Sequence, residues 1–358
     1  MGLNRMAKKG PAMAASAIVA AVAGSAFIGC SAGVAQAGIL APSHVVVVIE
    51  ENHSYSQIVG NTTEAPYINN TLIGNGGLLY TQSYSPEHPS QPNYLDLFSG
   101  SDQGITGDYF PSAPQYSEPL NTPNLAAQLL NAGDSFMEYN QTYSAIDNTT
   151  NYNQATYNNG TTNETYARKH NAVINWVNPS LTSVSGNQLP LSTMTGFSEF
   201  PTTAAGYAAL PTVSFVIPNL ENDMHNGTIQ AGDSFLQQNL NGYVQWAKTN
   251  NSLLLVTWDE NDFTLQDGNH IATIINGDTS LYVPGQSSQM FNSYSVLRTL
   301  ESMYGLGYAG NAATSPDLAT NAAGQLVAVP EPASLALMAV AALAFLIPVR
   351  RRRGNSKR

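Results

Sequence analysis

The chain has 358 residues, 43% of them hydrophobic, and is long enough to bury a large core. Three of its 13 basic residues precede position 38 and six follow position 349, whereas all 24 acidic residues lie between these positions. The interior therefore has four basic residues against 24 acidic ones, a net charge of −20, which argues against binding nucleic acid or an anionic membrane through general electrostatics.

The N-terminal segment has the three parts of a secretory signal peptide. Basic residues precede an apolar run over about 12–29, and Ala35-Gln36-Ala37 supplies a small-x-small cleavage site. We expect signal peptidase to remove residues 1–37 and leave one large domain over 38–328. A lipid-modified N-terminus at Cys30 is the alternative. Because Cys30 is the only cysteine, we expect no disulfide in the mature chain.

Apolar runs that end in polar residues recur along the interior of the chain. The runs in 44–52, 212–225 and 252–262 each predict a buried strand followed by acids or amides, and 270–277 is a fourth candidate strand. Helical patterns lie between them, over 122–133, 232–250 and 293–306. This alternation predicts an α/β fold with a largely parallel sheet, whose polar strand ends meet at one edge.

The stretch HPSQPNYLDLFSG, residues 88–100, predicts a helix that starts near Ser90. One interpretation is that Ser90 caps this helix. The other is that Ser90 is a nucleophile, since a helix N-terminus with its unpaired N–H groups favours phosphate. The stretch alone leaves both interpretations open.

Residues 139–166 are rich in Asn, Thr and Tyr, which predicts a surface insertion or lid. At the other end, Val329-Pro330-Glu331-Pro332, an apolar run over 333–349 and an arginine cluster follow one another. This order, over 329–358, resembles the PEP-CTERM sorting signal of Gram-negative bacteria. That resemblance implies processing by an exosortase and a membrane-spanning segment at 333–349 before processing.

The polar strand ends offer a set of hard oxygen ligands together with one hydroxyl. Such ligands suit Ca²⁺, Mg²⁺ or Mn²⁺, and carboxylates also serve Zn²⁺. Since a phosphate ligand would be repelled by the acidic chain, a divalent cation is the obvious local source of positive charge. Solvated acids at strand ends are the simpler alternative for any one residue. The candidate set is Glu51, Asn52, Ser90, Asp259 and Glu260.

Six stretches in order resemble the bacterial phosphoesterase family of acid phosphatases and phosphatidylcholine-type phospholipases C. This resemblance implies an alkaline-phosphatase-like fold, a three-layer α/β/α sandwich with a largely parallel central sheet. It spans about 44–311 and rests on VVVVIEENHSYSQIVGN, HPSQPNYLDLFSG, YARKHNAVINW, NLENDMHNGTIQAGDSFL, LLLVTWDEND and NSYSVLRTLESMYGL.

The resemblance also implies roles for single residues. Glu51, Asn52, Asp259 and Glu260 would bind the metal, and Ser90 would be both nucleophile and metal ligand. His170 and His225 would contact the phosphoryl group, and Asp223 would orient His225 or bind the metal. Two departures concern auxiliary positions: Ser293 and Ala172 stand where related sequences often have histidine and proline.

The predicted function is hydrolysis of small phosphate esters by an exported, metal-dependent enzyme. An acid phosphatase acting on phosphomonoesters through a phosphoserine is favoured, because the chain has little beyond the catalytic domain. A phospholipase C-type phosphodiesterase is one alternative. A non-catalytic protein of the exopolysaccharide matrix or cell surface is another, and the joint presence of Ser90 and the two acid pairs argues against it.

Overall fold

The structure, a computed structural model, describes residues 38–108, 119–143 and 166–331. The predicted signal peptide, the apolar run at 333–349 and most of the predicted insertion lie outside these ranges. Within them, nine strands form one sheet, in the order β4-β3-β5-β1-β6-β7-β2-β8, with β9 also paired to β2. The strands are β1 (His44–Glu50), β2 (Leu78–Tyr84), β3 (Phe136–Asn140), β4 (Met194–Gly196), β5 (Val213–Ile217), β6 (Ser252–Trp258), β7 (His270–Gly277), β8 (Gly285–Ser287) and β9 (Phe291–Asn292).

All the pairings are parallel except those of β7, which runs antiparallel to both β6 and β2. The sheet is therefore largely parallel, as the sequence predicts. The strand 270–277 has the predicted bounds, but it does not run parallel to its neighbours. Only 11 residues separate the end of β6 from the start of β7, too few for the crossover that a parallel pair needs.

Helices cover both faces of the sheet and complete a three-layer α/β/α arrangement. Successive side chains of β1 point to opposite faces of the sheet. Val45 and Val47 therefore lie in one apolar cluster, and Val46 and Val48 lie in the other. The first cluster includes residues of α2, α3 and α7; the second includes residues of α1, α5 and α6. The helices are α1 (Tyr55–Ile58), α2 (Ser90–Ser99), α3 (Leu125–Ala132), α4 (Ala204–Tyr207), α5 (Ile229–Phe235), α6 (Asn241–Ala247) and α7 (Ser293–Met303).

Two predicted segments have different bounds in the structure. The insertion predicted at 139–166 cannot begin at 139, because Tyr139 and Asn140 pair with β4 and β5 inside the sheet. The helix predicted over 232–250 begins earlier, at Ile229, and its middle turn, Leu236–Leu240, is π-helical.

Helices α2 and α3 both end at a glycine in the left-handed region. Gly100 has φ 70° after α2, and Gly133 has φ 91° after α3. The surroundings of the two glycines differ. A Cβ on Gly100 would overlap the backbone of Ala309, whereas a Cβ on Gly133 would meet no atom within 4 Å.

The last described residues lie along the edge strand β8. The N–H of Ser288 donates to the carbonyl of Val329 over 2.7 Å, and the N–H of Val329 donates to Ser287 Oγ over 3.0 Å. The start of the predicted sorting segment is therefore bound to the domain. Over the described ranges, no helix is both long and apolar enough to cross a membrane.

Candidate active site

Ser90 is the first residue of α2, and its hydroxyl points away from the helix. The N-cap position is occupied by Pro89, so the interpretation of Ser90 as the helix cap is wrong. Instead, Ser90 Oγ lies 3.1 Å from Glu51 Oε2 and 3.3 Å from Glu260 Oε1. The serine hydroxyl, which has one proton to donate, therefore lies between carboxyl groups that come from two different strand ends.

Backbone hydrogen bonds beyond the strands hold these polar ends together. Glu51 N–H donates to the Asp223 carbonyl over 2.8 Å, and Asp259 N–H donates to the Glu50 carbonyl over 2.9 Å. Asn52 has φ 52°, which asparagine tolerates, and its N–H donates to Asp259 Oδ1 over 3.2 Å. The ends of β1, β5 and β6 thus deliver the predicted residues to one place.

His170 lies behind Glu51, with its side chain 1% exposed. Its Nε2 is 3.0 Å from Glu51 Oε1, its Nδ1 is 3.1 Å from Asp223 Oδ2, and its ring stacks on Tyr94. Burial disfavours the charged ring, but Glu51 and Asp223 together raise the pKa of His170 to about 9. His170 therefore orients Glu51 from the protein side.

Asp223 serves the two histidines in different ways. One carboxylate oxygen accepts from the ring of His170, and the other accepts from the backbone N–H of His225 over 2.8 Å. The ring that Asp223 orients is thus that of His170, while it fixes only the backbone of His225. The ring of His225 faces an open cleft.

This cleft has a volume of about 330 Å³ and contains the hydroxyl end of Ser90. Its polar wall includes Asn52, Glu260 and Lys169, and its rim includes the exposed ring of Phe263. A cleft of this size admits a small phosphate ester directly at Ser90.

Three carboxyl groups crowd this site, and they respond differently to it. Burial opposes ionisation of Glu51, yet the charges of His170 and Lys169 hold its pKa at about 2. Burial and the charge of Glu51 raise the pKa of Asp259 well above its usual value and that of Glu260 to about 8. The cationic side chains of the protein therefore stabilise the negative charge of Glu51, but they do not stabilise charges on all three carboxyl groups at once.

The donor set fits a divalent cation. Asp259 Oδ2 is buried, and no residue in the described ranges donates a hydrogen bond to it. Together with Glu51, Glu260 and Ser90 it forms a set of hard oxygen donors. A second group of side chains could also hold a metal ion. Ligand atoms of Glu51, His170 and His225 all lie within 4.8 Å of one another.

Sequence reasoning missed several residues that contact this set. Lys169 lies beside Ser90, and Asp108 accepts from Lys169. His88 Nδ1 lies 2.8 Å from Glu260 Oε2, and Tyr94 donates to Glu51 over 2.8 Å. The scarcity of interior basic residues was a signal for Lys169, since a phosphate site in so acidic a chain needs a cation.

Comparisons with known proteins give matches over most of the chain. The model of the phosphoesterase family matches residues 73–307, and a PEP-CTERM protein-sorting motif matches residues 328–353. The phosphatidylinositol-3-phosphatase of Mycobacterium tuberculosis is 39% identical over 312 residues, which cover 85% of this chain and 93% of that protein.

More distant relatives have similar names. The probable acid phosphatase of Kluyveromyces lactis is 26% identical over 74% of this chain, and the acid phosphatase of Aspergillus fumigatus is 28% identical over 65%. The matched regions span 58% and 50% of these two fungal proteins. Among solved structures, a protein of the alkaline phosphatase superfamily from Vibrio parahaemolyticus superposes with a TM-score of 0.49 and 12% identity, over 78% of this chain and 71% of that chain.

Proposed function

Because the chain belongs to the phosphoesterase family, we propose that it is a metal-dependent acid phosphatase that hydrolyses phosphomonoesters through a phosphoserine at Ser90. The observation that carries this proposal is the position of the Ser90 hydroxyl, in an open cleft and hydrogen-bonded to both Glu51 and Glu260. The relatives that are named phosphatases support a monoester over a diester.

The residues that would hold the metal are Glu51, Asn52, Ser90, Asp259 and Glu260. When bound, a divalent cation would lower the pKa of the serine hydroxyl and offset negative charge on the phosphoryl group. The chain's own residues prepare this site. His170 and Tyr94 fix one oxygen of Glu51, while His88 and Asn93 contact one oxygen of Glu260.

In the proposed reaction, Ser90 Oγ transfers its proton to Glu260 Oε1, 3.3 Å away, and forms a bond to phosphorus as the ester P–O bond breaks. The departing oxygen keeps the electron pair and takes a proton from His225, whose ring lines the cleft. Water then attacks the phosphoserine and gives a proton to His225. The bond between phosphorus and Ser90 Oγ breaks, Oγ takes back the proton from Glu260, and phosphate is released. His170 takes no part in proton transfer to the substrate, because it is buried behind Glu51.

The sorting motif implies export and processing by an exosortase in a Gram-negative bacterium. We further propose that signal peptidase removes residues 1–37 and that the segment 333–349 holds the chain in the inner membrane until processing. The enzyme would then act at the cell surface or in the extracellular matrix.

The test is hydrolysis of an aryl phosphomonoester and of a bis-aryl phosphodiester by the purified chain, before chelation, after it, and after addition of Ca²⁺, Mg²⁺, Mn²⁺ or Zn²⁺. We expect the monoester to be the better substrate. Chelation should abolish its hydrolysis and lower the melting temperature, because the metal binds only the folded site.

Full activity of protein shown by elemental analysis to be free of metal would contradict the metal dependence. A faster reaction with the diester would favour the phospholipase C-type alternative. Absence of both activities with every metal would favour the matrix protein.

A further inference from the structure

The described interior contains four basic residues, and only one of them lies at the candidate site. Arg298 pairs with Asp317 and stacks on Tyr308, and Lys248 follows α6. Arg168 is buried, with its Nη1 3.4 Å from Asn175 Oδ1. Lys169, the next residue, lines the cleft.

The ammonium group of Lys169 is held among three side chains. Its Nζ lies 2.9 Å from Asp108 Oδ2, 3.1 Å from His225 Nε2 and 3.4 Å from Ser90 Oγ. The lysine side chain is 8% exposed, so it has little freedom to leave this position. Asp108 is itself fixed, because its Oδ1 accepts from the N–H of Gln91 at the start of α2 over 3.0 Å.

We propose that Lys169 is a catalytic residue that binds a phosphoryl oxygen of the substrate, and that Asp108 is a positioning residue that holds Lys169 beside Ser90. This inference rests on the proposed function, since it assumes that Ser90 receives the phosphoryl group. It adds a protein cation to a site for which the sequence predicted only a metal.

The three contacts of Lys169 differ in strength. The short contact with a carboxylate is charge-assisted and anchors the lysine. The contact with Ser90 is at the long limit of a hydrogen bond, so the lysine loses little when that N–H turns to a phosphoryl oxygen. Phosphorus bonds to Ser90 Oγ in the proposed reaction. The other oxygens of the phosphoryl group therefore come within reach of Lys169 Nζ.

The whole-molecule charge makes this cation important. An interior with 24 acidic and four basic residues repels phosphate esters, and Glu51 and Glu260 flank the nucleophile. Local positive charge must offset this repulsion for a phosphoryl group to approach Ser90. Lys169 supplies such charge with a geometry that Asp108 sets.

The test compares Lys169→Met, Lys169→Arg and the control Lys248→Met in the metal-loaded full chain. The measurements are the affinity for inorganic phosphate by calorimetry, and KM and kcat with the aryl phosphomonoester. Lys169→Met should weaken phosphate binding roughly tenfold to a hundredfold, as expected for loss of one charged hydrogen bond, and lower kcat/KM at least as much. Lys169→Arg should retain most of the binding, and Lys248→Met all of it.

A second pair of variants tests the role of Asp108. Asp108→Asn should weaken phosphate binding and Asp108→Glu should restore it, with the melting temperature of each variant recorded. Phosphate affinity of Lys169→Met equal to that of an active wild-type enzyme would overturn this inference alone. A wild-type chain that hydrolyses no phosphate ester would instead overturn the proposed function.

Discussion

At the scale of single residues, the position of Ser90 distinguishes between the two roles that its sequence context left open, helix cap and nucleophile. Its hydroxyl makes no capping contact with α2, and both of its carboxylate partners belong to the predicted metal set. Removing this hydroxyl should therefore affect the reaction much more than the helix.

Ser90→Ala should lower kcat on the order of 10⁶-fold, as for loss of a hydrolase nucleophile, and leave the fold intact. The measurements are kcat at saturating metal and the melting curve of the same sample. The matched control is Ser99→Ala at the other end of α2, whose hydroxyl donates to the Leu95 carbonyl over 2.8 Å.

Ser99→Ala should cost about 2 kcal/mol of stability, the typical value of two hydrogen bonds, because Ser99 Oγ also accepts from Gln103 Nε2 over 3.0 Å, and it should leave kcat unchanged. Turnover of Ser90→Ala close to that of the wild type would assign the nucleophile to another group. Phosphate found on Ser90 by mass spectrometry in a slow Asp259→Asn variant would support the covalent intermediate.

At the scale of elements, the apolar runs predicted the central strands well and the outer strands poorly. β1, β5, β6 and β7 are almost entirely buried, so their sequences are continuous apolar runs. β3 escaped prediction because FMEYN contains a buried acid, Glu138, in place of an apolar residue. The direction of β7 was not foreseen, although the 11 residues between β6 and β7 are too few for the crossover that a parallel pair needs.

The site was predictable where its residues end a strand or begin a helix. Glu51 and Asp259 follow apolar runs, and Ser90 begins a helix, so each has a local signal. Lys169 and Asp108 lie in segments without such a pattern, and only tertiary contacts bring them to Ser90. The meeting of Glu51, Ser90 and Glu260 was therefore foreseen, but the contacts that Lys169 and Asp108 make there were not.

Gly100 at the end of α2 offers a test of how that helix is held. Gly100→Ala should destabilise the protein by clearly more than Gly133→Ala. Both substitutions force a side chain into the left-handed region, at about 1–2 kcal/mol, but only the first also forces a Cβ against the backbone of Ala309. The free energy of unfolding in urea measures both costs. An equal loss in free energy of unfolding for both variants would show that the backbone near Ala309 moves to admit the new Cβ without loss of stability.

At the scale of the whole molecule, the C-terminal segment links the domain to its sorting signal. In a host without the sorting enzyme, the full chain should fractionate with membranes, because the apolar run at 333–349 is near the length that spans a bilayer. Deletion of residues 330–358 should move the protein to the soluble fraction while keeping Val329 on β8. Deletion of 350–358 alone, as the control, should leave it with the membranes.

A freely soluble full chain with its tail shown intact by mass spectrometry would rule out the anchor. Loss of solubility on deletion of 330–358 would instead show that this segment is needed by the fold.

The place of β1 in the sheet has a consequence for when the enzyme becomes active. β1 is the first strand in the chain, yet it pairs with β5 and β6, and Val45 meets Val213 on one side and Leu253 on the other. Contacts between such distant residues form late in folding, because long loops must close first. The centre of the sheet, and with it the meeting of Glu51 with Asp259, cannot form until the chain has emerged beyond β6. A chain threaded through a membrane during its synthesis would therefore reach the far side before Glu51 meets Asp259.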